Sequence, residues 1–279
     1  MKKLVLFTAL ALAVSSSALA SPWIKSFAQA QKKAKEKNRL IFVDLFAEWC
    51  GWCHRFEQDV IPSQAFQNAT DNMVLLRLNT EDGGEGTTIS RQYGVTSLPT
   101  FLVLDRDGMI AGIIRGYQPP SEFAKSLVEV EGKYSAFMKR VSTESTISRD
   151  FQKRLDLAKE FRMRYALPQA ESRFRKLTAE KSAPANIRDE SYYELALTQL
   201  LQKKFDDSMG TVKQFGSVQN KGDSYEKARL LVGDIYLQQG KYDRAVAEYR
   251  SFKTAFPNSQ FVKNIDMILP QIERQIGKK

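Results

Sequence analysis

The sequence predicts two units of different class: an α/β domain with a mixed sheet and helices on both faces, then an all-α solenoid. Three observations carry this. Between residues 22 and 132 the apolar pattern runs helix, strand, helix, strand, short helix, strand, strand, helix. Beyond Lys133 it is helical throughout and repeats, stepping 38 and then 37 residues from Ala158 to Ala196 to Gly233. The only two cysteines, Cys50 and Cys53, directly follow the apolar run Leu40–Phe46.

Each element has its own signal. From Pro22 to Lys37, Trp23, Phe27, Ala30 and Ala34 recur at helical spacing. Leu40–Phe46 is apolar on both alternating sets except for Asp44, as in a strand covered on both faces. Gly51–Asp59 continues as a helix and Met73–Leu78 as a second strand. Glu81–Gly86 is an acidic, glycine-rich loop, a flexible turn or a cation site. Thr100–Leu104 and Met109–Arg115 flank the turn Asp105-Arg106-Asp107-Gly108, a hairpin. A helix over Pro119–Gly132 closes the domain.

In the second unit, Ala158, Leu167, Ala170, Phe174 and Leu177 align with Ala196, Phe205, Ser208, Val212 and Phe215. Both rows align with Gly233, Tyr242, Ala245, Tyr249 and Phe252. The small residues fall where paired helices must approach closely.

Lys2 and Lys3, the apolar stretch Leu4–Val14 and the small residues Ala18-Leu19-Ala20 have the form of a secretory signal peptide cleaved after Ala20. An uncleaved anchor is the alternative. Ser21 at the new terminus argues against lipid attachment. The expected organisation is a signal peptide over 1–20, an α/β domain over 21–133 and a helical domain over 134–279. The expected location is the periplasm or another exported compartment. Formal net charge is +10, and removing Lys2 and Lys3 leaves +8. No concentrated basic patch accompanies it, and nucleic acid is not an expected partner of an exported chain.

An exported chain with two cysteines this close has no disulfide framework, so the pair is kept for reactivity. A strand that delivers Cys-x-x-Cys to a helix start places the first sulfur at the positive end of the helix dipole, beside free N–H groups. Cys50, on the exposed side of the helix start, is therefore the expected nucleophile and Cys53, one turn on, the buried resolving thiol. A metal site is not expected. Cys50-Gly51-Trp52-Cys53-His54 also matches the c-type haem attachment motif, which is a separate reading. Asp44 is a buried carboxylate able to accept a proton or, alternatively, a strand-edge residue touching water. His54 stabilises a thiolate or is simply solvated. Trp52 contacts substrate or packs.

Residues 22–132 resemble the thioredoxin fold. The resemblance lies in Val43-Asp44-Leu45-Phe46-Ala47-Glu48-Trp49-Cys50-Gly51-Trp52-Cys53, in Tyr93-Gly94-Val95-Thr96-Ser97-Leu98-Pro99-Thr100, and in Gly116. It implies that Asp44 assists deprotonation of Cys53, that Pro99 is a cis-proline beside the disulfide, and that the Leu98 backbone pairs with substrate. Trp49, Gly51, Trp52, Leu98 and Pro99 are then the expected substrate-binding surface. Gly51-Trp52 departs from the Gly-Pro of typical thioredoxins and the Pro-His of strong periplasmic oxidants. Residues 226–257 resemble a tetratricopeptide repeat through Gly233, Tyr236, Gly240, Tyr242, Ala245, Tyr249 and Pro257.

The expected function is an exported thiol–disulfide oxidoreductase, a reductase or isomerase rather than a strong oxidase, with no cofactor beyond the Cys50–Cys53 couple. Expected partners are exported proteins with thiols or disulfides, a membrane or periplasmic electron-transfer partner, and a protein recruited by the repeats. Residues 21–133 are expected to fold alone. The alternatives are a docking adaptor and a haem-bearing electron carrier.

Overall fold

The computed structural model describes residues 23–217 and 223–277. The expected signal peptide and its cleavage site lie outside them. Among the described residues, no helix is long and apolar enough to cross a membrane.

The first unit runs α1 (Phe27–Lys37), β1 (Leu40–Phe46), α2 (Gly51–Asp59), α3 (Gln64–Thr70), β2 (Met73–Asn79), α4 (Glu85–Gln92), β3 (Thr100–Leu104), β4 (Ile110–Arg115) and α5 (Pro120–Ser142). The sheet order is β2-β1-β3-β4, with β1 parallel to β2 and antiparallel to β3, and β3 antiparallel to β4. The two most apolar segments, β1 and β3, are the central strands, because only central strands are covered on both faces. One face packs Ala30, Ala34, Val43, Leu45 and Leu102. The other packs a ring cluster in which Phe101 lies 4.2 Å from Phe56 and 4.8 Å from Phe123.

Three boundaries depart from the sequence pattern. The first helix begins at Phe27, not Pro22, because Ile24 is claimed by the edge of β2. Its N–H donates to Leu75 O at 2.9 Å and its C=O accepts from Arg77 N at 3.0 Å. That pairing covers backbone groups an edge strand leaves open. A helix not expected from the sequence, α3, is started by Ser63, whose Oγ accepts from Phe66 N at 3.2 Å. At seven residues it is too short for a periodic pattern to show. The last helix of the unit, α5, does not stop at Gly132. Tyr134, Phe137 and Val141 continue the stripe begun by Phe123 and Leu127, and packing outweighs glycine's low propensity. The expected boundary between 133 and 134 thus falls inside α5.

After a 3₁₀ turn at Glu144–Ile147 come α6 (Phe151–Met163), α7 (Leu167–Ala179), α8 (Ala185–Leu201), α9 (Phe205–Gly216), α10 (Asp223–Gln238), α11 (Tyr242–Ala255) and α12 (Val262–Ile276). The helices α6/α7, α8/α9 and α10/α11 form three pairs in the repeat frame. Ala158, Ala196 and Gly233 are buried, as are Phe174, Val212 and Tyr249 facing them. A Cβ on Gly233 would lie 2.4 Å from Tyr249, so this close approach requires glycine. Seven residues after each small residue the chain turns left-handed, at Tyr165 (φ 61°), Lys203 (φ 59°) and Gly240 (φ 69°). The next N–H in each case reaches back five residues, at 2.9 Å: Ala166 to Phe161 O, Lys204 to Gln199 O, Lys241 to Tyr236 O.

The two units share contacts. Ile110 N donates to Arg164 O at 2.7 Å, and Arg164 Nη1 donates to Ile110 O and Ala111 O at 3.0 Å each. The turn after α6 therefore caps the start of edge strand β4. Tyr165 packs on Tyr93, with ring centroids 5.3 Å apart.

Candidate active site

β1 runs into α2 through Ala47–Trp49, and Cys50 is the N-cap. Its Sγ accepts from Cys53 N at 3.2 Å. Cys50 and Cys53 form a disulfide with S–S 2.10 Å and Cα–Cα 5.2 Å. The first-turn N–H groups of α2 and the positive end of its dipole lie at Cys50. Cys50 was expected on the exposed side of the helix. Instead both cysteines are buried, 3% and 2% exposed, in a cluster with Ala47 that Phe46 and Leu98 pack against. The reason is that Phe46 and Leu98, at two neighbouring strand ends, close over them. The Leu98–Pro99 peptide bond is cis. Pro99 O accepts from Gly116 N at 2.9 Å, tying the start of β3 to the end of β4 beside the disulfide.

Asp44 lies on the face of β1 that α2 covers. Its neighbours on that face are Phe42, which packs with Phe56, and Phe46, which packs with the cysteines. The strand-edge alternative is excluded: the residue is 2% exposed, on a strand paired on both sides. Burial pushes its carboxyl up to about 7; Arg77 opposes that rise and Glu57 adds to it. Arg77 is its register partner on β2. Arg77 Nε lies 3.2 Å from Asp44 Oδ2 without an aligned hydrogen bond, so the contact is an ion pair only. The two Nη atoms grip Glu57, at 2.7 and 2.9 Å, and the guanidinium lies over the Phe46 ring.

The aromatic residues around the disulfide are exposed but held. Trp49 is 69% exposed, and its Nε1 donates to Glu81 Oε1 at 2.8 Å. Trp52 is 62% exposed and lies against Tyr117, with centroids 5.4 Å apart. A Cβ on Gly51 would meet nothing within 4 Å. His54 Nε2 donates to Glu48 O at 2.8 Å. Haem attachment would need both sulfurs free and that nitrogen turned to iron. Here the sulfurs are joined to each other and the nitrogen is bonded to a carbonyl.

The acidic loop is structural. Asp82 accepts from Gly84 N, Thr87 N and Gly86 N, while Glu85 accepts from Phe27 N at 2.8 Å. Sequence reasoning missed Arg77, Glu57, Glu81 and Tyr117. Arg77 did carry a signal, as a charge in an otherwise apolar strand; Tyr117 carried none.

Residues 27–131 match the family model of the thioredoxin-like domain, and residues 227–259 that of the tetratricopeptide repeat. The chain is similar to the thiol:disulfide interchange protein DsbD of Actinobacillus pleuropneumoniae serotype 5b (strain L20). They are 30% identical over 95 residues, which is 33% of this chain and 16% of that protein. It is also similar to DsbD of Pseudoalteromonas atlantica (strain T6c / ATCC BAA-1087), at 28% over 104 residues, 36% of this chain and 18% of that protein. A solved structure titled DsbH Oxidoreductase is 16% identical, covering 39% of this chain and 83% of that one, with a TM-score of 0.35. The chain thus spans under a fifth of the length of the curated relatives it matches.

Proposed function

We propose, for a chain made of a thioredoxin-like domain followed by helix pairs that include a tetratricopeptide repeat, that it is an exported thiol–disulfide oxidoreductase. The observation that carries this is the Cys50–Cys53 disulfide at the start of α2, next to Leu98 and following a strand that holds a buried carboxylate, Asp44. In the reduced state the Cys50 thiolate attacks a partner disulfide. A Cys50–partner sulfur bond forms, the partner S–S bond breaks, and one partner thiolate leaves. Cys53 then gives up its proton, with Asp44 as the acceptor, and attacks the Cys50 sulfur. The Cys50–Cys53 bond forms and the second partner thiol leaves. Two electrons pass to the partner, and a thiol donor must restore the dithiol.

The preferred direction is reduction or isomerisation. Gly51-Trp52 supplies no cation between the cysteines to hold a Cys50 thiolate, so the thiolate is less stabilised than beside a Pro-His dipeptide. The Leu98 backbone, Trp49, Gly51 and Trp52 would receive the partner's chain. The compartment is outside the cytoplasm, on the strength of Lys2, Lys3 and the apolar leader before Ala20. The helix pairs recruit a protein partner, which raises its effective concentration at the disulfide.

Two measurements test this. A Cys53→Ala variant should accumulate mixed disulfides that a Cys50→Ala variant does not; equal trapping would reverse or abolish the assigned roles. The reduction potential of the couple should lie near ~−270 mV; a value near ~−120 mV would make the protein an oxidant.

A further inference from the structure

Trp52 stands between the two cysteines with most of its surface in water, yet it is not a free side chain. Its ring lies at 5.4 Å and 32° to that of Tyr117, a residue far away in sequence. Tyr117 is fixed at both ends. Its body packs against the ring cluster of Phe56, Phe101 and Phe123, and its hydroxyl donates to Asp59 Oδ2 at 3.0 Å. Asp59 ends α2 and is paired with Arg55 of the same helix. Gly116 just before it, with φ 78° and its N–H on Pro99 O, sets where the chain leaves β4. The brace for Trp52 therefore comes from the far strand, while the brace for Trp49 comes from Glu81 beside β2.

Both cysteines are 3% exposed or less, while Trp49 and Trp52 beside them are largely exposed, so the residues flanking a partner cysteine meet these aromatics as it approaches. We propose that Tyr117 is a positioning residue that holds Trp52 as a recognition wall, so the protein prefers polypeptide disulfides with an aromatic or large apolar residue beside the target cysteine. An aromatic pair contributes about 0.5–1.5 kcal/mol beyond its buried area, which is a preference of about two- to tenfold. The braced ring has already lost its rotamer freedom, so that contact is not offset by ordering Trp52 on binding. This inference rests on the thiol–disulfide reading above.

The experiment uses the whole chain with paired peptide disulfides that carry Trp or Gly next to the reacting cysteine. The readout is the ratio of their kcat/KM values. Wild type should favour the Trp peptide about fivefold, mostly through KM. Trp52→Ala and Tyr117→Leu should both bring the ratio close to one. Tyr117→Phe, which keeps the ring and loses only the hydroxyl's bonds to Asp59 and Arg55, should restore part of it. If Tyr117→Leu keeps the wild-type ratio while Trp52→Ala loses it, Tyr117 does not position Trp52 and the inference is wrong. A wild-type ratio near one, together with rapid reduction of hydroxyethyl disulfide, also overturns it and leaves the redox reading standing. No exchange with any disulfide, hydroxyethyl disulfide included, removes that reading and this inference together.

Discussion

Burial holds the Asp44 carboxyl at about 7 although Arg77 sits 3.2 Å away, so near neutrality both protonation states are populated. The folded-state value lies above the unfolded one, so the native state binds the proton more tightly. Stability is fullest below about 4, falls as pH rises through about 7, and bears the whole penalty above that. Asp44→Asn should therefore be more stable than wild type at pH 8, by about 2 kcal/mol, and not at pH 4. Denaturant unfolding at the two pH values measures this. The same change should slow resolution of a trapped mixed disulfide by about 100-fold at pH 8 and remove the rise in rate through pH 7. A variant with an unaltered pH–rate profile would take Asp44 out of the proton transfer.

At the scale of elements, the repeat frame places a left-handed residue at the same position in each helix pair, but only the last pair uses glycine there. An L side chain in that conformation costs about 1 kcal/mol. Lys203→Gly should therefore raise stability by roughly that amount, and Gly240→Lys should lower it; thermal melts of both variants decide. Glu171 on α7 stitches two pairs together. Burial alone would raise its carboxyl, but Lys204, Gln202 and Arg175 outweigh burial and hold it at about 2. A depressed folded-state value stabilises the protein above the unfolded value near 4.5, and that contribution is lost as pH falls through about 2. Glu171→Gln should thus weaken the fold at pH 6 by about 1–3 kcal/mol and leave less to lose between pH 4.5 and 2, measured by acid unfolding.

For the whole molecule, α5 crosses the expected boundary, and Phe137 near its end is buried with Phe161 of α6. Arg164 adds two charge-assisted bonds to the carbonyls of β4 and stacks on Phe137 at 4.4 Å. Residues 21–133 alone would end inside α5 and leave the start of β4 uncovered. This bears directly on the expectation that this fragment folds by itself. Arg164→Ala in the full chain should cost about 2–3 kcal/mol and split one calorimetric transition into two as the units uncouple. A single transition at the wild-type temperature would mean that the clasp carries no coupling.

Periodicity and motif alone determined the class of each unit, the strands β1 and β3, the start of α2, the cysteine pair and the frame of the helix pairs. These are local: a period of two or 3.6, or a cap beside a strand, is written within a dozen consecutive residues. The tertiary structure decided what depends on distant partners. Asp44 and Arg77, 33 positions apart, become an ion pair only through the parallel register of β1 and β2. Tyr117 meets Trp52 only because β4 returns beside the disulfide. Gly132 fails to end α5 because side chains from α6 and α7 extend its buried stripe. Cys50 is covered because Phe46 and Leu98, from two neighbouring strand ends, close over it. Burial, and the pKa shifts that follow from it, are properties of what the fold places around a residue, and no window of neighbouring residues contains that information.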